Sequence, residues 1–137
     1  MIDMARDERS DLAVFLATLR PDQWAAPSLC AAFGGMIGLV DGTIHHQDIR
    51  RALSLPRTIP EHRLVPVLDF ALRAPTLPAK KNAKGLSLVA TDSSWSSGEG
   101  QEVTGPGEAL LMTVAGRPDA LDELSGPGLT TLKQQVT

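Results

Sequence analysis

Little in this sequence lends itself to the commonest kinds of site. A single cysteine, Cys30, rules out an internal disulfide and any zinc centre built mainly from thiolates. Histidine is scarce too: the three imidazoles lie at positions 45, 46 and 62. No apolar run approaches the ~20 residues a membrane-crossing helix needs, and the opening "MIDMARDERSDLAVF" is too charged for a secretory signal. Nor is there a basic excess. The net charge is −3, so no global field invites nucleic acid, and the local run Lys80, Lys81 and Lys84 reads as a solvated loop. Together these absences lead us to expect a cytoplasmic protein with neither nucleic acid nor membrane as a partner.

What is present suits one domain, or two small lobes sharing a core. With 42% hydrophobic and 21% charged side chains in 137 residues, the chain can bury enough apolar surface to fold without staples. "DERSDLAVFLATLRPDQW" predicts a helix, because Leu12, Phe15, Leu16 and Leu19 recur at i, i+3, i+4 and i+7. Pro21 stops it, and "PDQWAAPSLC" is a loop. "GGMIGLVDGTIHHQDIRRALSL" predicts a second helix, with Ile37, Val40, Ile44, Ile49, Ala52 and Leu53 as its apolar stripe and four glycines weakening it. A third runs from Pro60, placed as a first helical residue, to about Arg73, with Pro66 either delaying or bending it.

From about Pro75 the pattern changes. "APTLPAKKNAKG" is linker-like, and "LSLVATDSSWS" alternates Leu86, Leu88 and Ala90 against Ser87, Val89 and Thr91, as a strand with one polar face does. "SGEG" reads as a hairpin turn and "QEVTG" as the returning strand. "PGEALLMTVAG" is a helix opened by Pro106 and closed by Gly116, with Leu110, Leu111 and Val114 inward. "RPDALDEL" and "PGLTTLKQQV" are two further short helices. The expected fold class is α+β: helices first (residues 1–74), then a small β-hairpin domain with helices packed on it (residues 75–137).

The chemistry concentrates in "DGTIHHQDIR", Asp41 to Arg50. On a helix Asp41 and His45 lie one turn apart on one face, joined by Asp48, while His46 points about 100° away. A carboxylate and an imidazole so spaced can share a borderline metal such as zinc, by the logic of paired histidines at i, i+4. On the residues alone the default reading is a polar seam in which Asp48 or Asp41 hydrogen-bonds the His45 ring. Spacing alone leaves both readings open, since a catalytic zinc needs a third protein ligand.

"PDQWAAPSLCAAF", "LVDGTIHHQDIRRAL" and "LVATDSSWSSGEGQEVTGPGEALLMTVAGRPDALDEL" together resemble the mycothiol-dependent maleylpyruvate isomerase family of actinobacteria. The resemblance covers nearly the whole chain. It implies a metal-binding helical bundle of the DinB type, truncated here, followed by a small α+β domain. It further implies a divalent metal, typically zinc, on Asp41 and His45, with Asp48 as a supporting partner. Mycothiol would be the thiol cofactor, and Arg117 the catalytic or cofactor-binding group that holds an anionic substrate. The thiolate would add to an activated double bond, allow rotation and leave, giving cis–trans isomerisation.

The sequence departs from the family after "PSLC", where "AAFGGMIGLV" replaces the helix carrying the first metal histidine and a long connection. That shortening implies an incomplete metal site and an uncovered apolar face that favours a homodimer. Two alternatives therefore stand beside the isomerase. One is an inactive relative serving as a binding or oligomerisation module; the other is a thiol S-transferase of the same superfamily. Cys30 is expected as a small buried or pocket-lining residue, Trp24 and Trp95 as packing residues, and His62 as an ordinary exposed side chain.

Overall fold

The computed structural model describes residues 2–20 and 34–137. The chain divides into two compact units, Met1–Gly35 and Met36–Thr137, each described here by itself. In the first, α1 spans Ile2–Ala17, and the N–H groups of Thr18 and Leu19 close its end on the carbonyls of Phe15 and Leu16. Val14 and Phe15 are exposed. The expectations for Trp24, Cys30 and the loop "PDQWAAPSLC" fall outside the described residues.

The second unit is α+β. It contains α2 (Gly34–Ala52), α3 (Glu61–Ala71), α4 (Ala79–Asn82), β1 (Leu86–Ala90), β2 (Ser96–Ser97), β3 (Gln101–Gly105), α5 (Gly107–Val114), a 3₁₀ turn (Pro118–Glu123) and α6 (Leu129–Val136). Its core is contiguous across Pro75: Leu64, Val67 and Leu68 of α3 cluster with Leu86 and Leu88 of β1, Val103 of β3 and Leu132 of α6. Among the described residues no helix is long and apolar enough to cross a membrane.

The centre is α5. Ala109, Leu110, Leu111, Met112, Thr113 and Val114 are all fully buried, not merely the three positions expected to face inward. A helix apolar on every side has to be enclosed, and this one contacts α3, α4, β1, β3 and the 3₁₀ turn. Its start is held by Asp92, whose Oδ1 accepts the Gly107 N–H at 2.9 Å. Its end is a Schellman turn, in which Gly116 N–H donates to Thr113 O and Arg117 N–H to Met112 O, both at 2.9 Å.

Two expectations need correction in the helices and the linker. The α2 stripe splits: Val40 and Ile44 are buried together with Thr43 and Gln47, whereas Ile37, Ile49 and Leu53 are exposed. The reason is polar, because Gln47 and Arg51 on the inner face are both hydrogen-bonded to Glu108 of α5 and so set which side of α2 turns inward. The "linker" around residue 80 is also part of the core. Ala79 is buried, and the buried Asn82 donates from Nδ2 to Val114 O at 2.9 Å, while Lys80, Lys81 and Lys84 remain exposed as expected. Pro66 neither delays nor breaks α3, whose N-cap is Pro60.

The strand pairing differs most. β1 keeps the expected alternation, with Leu86, Leu88 and Ala90 buried. "QEVTG" does not return antiparallel as a hairpin; it runs parallel to β1, in register Leu86↔Gln101 to Ala90↔Gly105. The antiparallel partner of β1 is β2, giving the order β2-β1-β3 among the described strands. To pass from one edge to the other, "GEG" slips beneath the start of β1. Gly98 and Gly100 have φ of 88° and 135°, and a Cβ on either would collide with the carbonyl of Leu86 or Gly85 respectively. Only glycine combines that dihedral with that approach. Trp95, just before β2, is buried and donates from Nε1 to Asp69 Oδ1 at 2.9 Å, a packing role with its polar edge satisfied.

Gly100→Ala is expected to destabilise the protein by about 3 kcal/mol. Gly42→Ala on α2, where an added Cβ meets nothing, is expected to stabilise it by about 1 kcal/mol. Urea unfolding of the two variants checks both signs.

Candidate functional site

Helix α2 carries two neighbouring histidines into opposite electrostatic surroundings. His45 stands among carboxylates: Asp41 Oδ1 lies 3.2 Å from its Nε2, one turn back, and Asp48 Oδ2 lies 3.4 Å from its Nδ1. Asp48 is in turn clasped by an arginine 69 residues away. Arg117 Nε donates to Asp48 Oδ1 at 3.0 Å and Nη2 to Oδ2 at 2.9 Å, a bidentate pair. Nη1 of Arg117 donates to Ala115 O at 2.8 Å, which fixes the guanidinium against the end of α5. The Schellman turn at Gly116 is what brings Arg117 to this place.

The structure therefore brings together all the residues expected here: Asp41, His45, Asp48 and Arg117. Three of these, Asp41, His45 and Arg117, line a small cavity of about 100 Å³ with the apolar side chains of Ile37, Val40, Ile44, Phe70 and Leu77. The Arg117 hydrogen bonds hold the Asp48 carboxyl below its ordinary range, opposed by partial burial and reinforced by the charges of Arg117 and His45. Arg117 is correspondingly raised, chiefly by its hydrogen bond to Asp48.

Asp41 and His45 form a carboxylate–imidazole contact whose length suits a hydrogen bond as well as two ligands of one ion. Two ligands of a tetrahedral zinc at ~2.1 Å stand about 3.4 Å apart, close to the observed 3.2 Å between Asp41 Oδ1 and His45 Nε2. Asp48 approaches the other ring nitrogen, so it cannot join the same ion through that geometry and instead supports the ring. Among the described residues no group of three His, Cys, Asp or Glu is placed to hold a metal ion. His62 is exposed in the first turn of α3, as expected.

His46, one residue on, faces arginines. Arg50 Nε donates to its Nε2 at 3.0 Å, and Arg57 Nη1 lies 2.6 Å from its Nδ1. Its pKa is held below the ordinary value by local desolvation and by the positive charges of Arg57 and Arg50. Beside this cluster, Glu108 Oε1 accepts from Gln47 Nε2 and Arg51 Nε, both at 2.9 Å, and Arg51 Nη1 reaches Glu123 Oε1 at 2.6 Å. Hydrogen bonds to Glu108 raise the Arg51 pKa further still. Arg50, Arg51, Arg57 and Glu108 are not among the residues that the sequence singles out as candidates. The signal was the basic density of "IRRALSLPR" directly after the histidines.

No protein-family model, curated protein or solved structure matches this chain.

Because the folded-state pKa of Asp48 lies below its unfolded value, its stabilising contribution is complete above the ordinary aspartate pKa of about 3.9 and fades as pH falls through the lower folded value. Asp48→Asn is accordingly expected to cost about 1 kcal/mol at pH 7. The gap from wild type should close in acid below that window. Urea unfolding at a series of pH values tests this, and a gap unchanged down to pH 2 would remove the assignment.

Proposed function

We propose that the chain is a shortened relative of the mycothiol-dependent isomerases, in which α2 and α3 are what remains of a DinB-type bundle. Its substrate would be a small anionic electrophile of the maleylpyruvate type. The observation that carries the reading is the relay Arg117–Asp48–His45–Asp41, assembled from two distant segments at the edge of a small apolar cavity. When bound, a divalent metal such as zinc supplies Lewis acidity there, and the thiol cofactor supplies the nucleophile.

The chain's own residues have definable tasks. Asp48 favours the tautomer with the proton on Nδ1 and leaves the Nε2 lone pair toward Asp41, so that the two can share an ion. Arg117 keeps Asp48 ionised. A guanidinium has five N–H donors, and the three named hydrogen bonds leave two for an anionic group entering the cavity. Ile37, Val40, Ile44 and Phe70 line the same cavity and limit the water around it.

A second reading is a non-catalytic binding or oligomerisation module. It is favoured by the two-ligand character of the site among the described residues and by Ile37, Ile49 and Leu53 on α2, exposed at 55%, 58% and 62%. Ile49 and Leu53, one turn apart, form an exposed apolar pair that suits a homodimer, whose second copy would also be the natural source of a missing ligand. A thiol S-transferase would use the same residues on another electrophile.

Zinc content and affinity, measured with oligomeric state on the same samples, separate these readings. Wild type is expected to hold near-stoichiometric zinc, His45→Ala none, and Asp48→Asn to bind it about 10- to 100-fold more weakly. Turnover of maleylpyruvate with mycothiol then distinguishes the isomerase from the transferase. Absence of zinc from every sample would end the metal-dependent reading and leave the module.

A further inference from the structure

A second and larger cleft, of about 610 Å³, opens where α2 ends and shares no lining residue with the cavity at Asp41 and His45. We propose that it binds the phosphate group of a small phosphorylated sugar or polyol, held by the N–H donors of Arg50 and Arg57 that His46 does not engage. The volume is within the range of small-molecule sites and several times that of a free phosphate ion.

The chain is built to bring these two cations together. α2 finishes in a Schellman turn whose reversing residue is Ser54: Ser54 N–H donates to Arg51 O at 3.0 Å and Leu55 N–H to Arg50 O at 2.9 Å. Ser54 has φ 54°, the single non-glycine residue with positive φ among the described residues, and it lines the cleft. The reversal carries Arg57 back over His46, eleven residues upstream. Arg50 Nη1 donates to Leu55 O at 3.3 Å, tying the returning segment to the helix it left.

The resulting cluster has donors in excess. A neutral imidazole has one acceptor nitrogen, yet both ring nitrogens of His46 face a guanidinium. One arginine therefore meets an N–H group where it needs a lone pair. Among the described residues neither Arg50 nor Arg57 has a carboxylate within ion-pair distance, whereas the adjacent Arg51 has Glu108 and Glu123. Two guanidinium groups with uncommitted N–H donors need more lone pairs than one carboxylate offers, and a tetrahedral dianion with three terminal oxygens supplies them.

The remainder of the cleft explains why the group should be joined to hydroxyls. Asp119, together with the Asp92 and Glu123 oxygens not bonded to Gly107 N–H and Arg51, presents carboxylate acceptors for hydroxyl donors that repel a second anion. Ile59 and Leu64 add apolar lining against which a sugar ring can pack. Guanidinium donors and carboxylate acceptors lining one cleft thus suit an anion with a polyol body, independently of the metal and thiol reading.

Calorimetric titration of the full chain with inorganic phosphate, glucose 6-phosphate and glucose tests the proposal. Glucose 6-phosphate is expected to bind at least tenfold more tightly than phosphate, with glucose undetected. Arg57→Gln is expected to raise the Kd for glucose 6-phosphate at least tenfold, and Arg57→Lys, which keeps the charge and loses the planar fork, severalfold. Equal binding of phosphate and glucose 6-phosphate would overturn the sugar part and assign the site to free phosphate. Glucose binding as tightly as its phosphate, no binding by any probe, or an Arg57→Gln Kd within twofold of wild type would overturn the proposal outright. Should Arg57→Gln fail to fold by circular dichroism, the same criterion applies to Arg57→Lys.

Discussion

Complete burial of α5 is the constraint on which the rest of the second unit depends. Its eight residues present apolar surface in every direction, so the sheet, α3, α4 and the 3₁₀ turn are all required to cover it. One polar side chain escapes. Glu108 emerges near the start of the helix and is met by Gln47 and Arg51 of α2, while Arg117, just past the other end, clasps Asp48 of the same turn of α2. Both ends of one buried helix are thereby tied to one stretch of another. That double tie sets which part of the hydrophobic stripe of α2 is buried, Val40 and Ile44 inward and Ile49 and Leu53 outward.

From that orientation the contrast between the two histidines follows. Adjacent residues on a helix point about 100° apart, so His45 and His46 belong to different sites although they adjoin in sequence. His45 is flanked by two carboxylates and suits a cation; His46 is flanked by two guanidinium groups and belongs to a surface that suits an anion. The carboxylate site is carried by α2 with one arginine reaching in from the end of α5. The arginine site is carried by α2 and the segment it turns back into, through a Schellman motif with serine in the place where glycine is usual.

How much of this was legible in the sequence depended on the range of the interaction. The i, i+4 relation of Asp41 and His45, the alternation of β1, the caps of α5 and the two short elements after Gly116 are local, and each was readable from spacing. The strand order was not. Consecutive strands usually neighbour one another, so "SGEG" reads as a hairpin turn, and nothing local shows that Gly98 and Gly100 carry the chain under Gly85 and Leu86 to the far edge. The burial of Ala79 and Asn82 was hidden for the same reason: a lysine-rich composition suggests a linker, while a single side-chain amide on Val114 O anchors it.

The sequence by itself determined most secondary elements of the second unit (the short helix Ala79–Asn82 and the separate strand Ser96–Ser97 excepted), the α+β class, and the cluster of chemistry-bearing side chains on one helix turn, because these follow from periodicity and capping within a few residues. Only the tertiary structure decided that Arg117 reaches Asp48 across 69 positions, that Arg57 returns to His46, and which face of α2 turns inward. Those outcomes rest on side-chain hydrogen bonds between groups not adjacent along the chain. The ties from α2 to Glu108 and Arg117 exist only once α5 has been enclosed, and the return of Arg57 only once the turn at Ser54 has formed, so no spacing in the sequence encodes them.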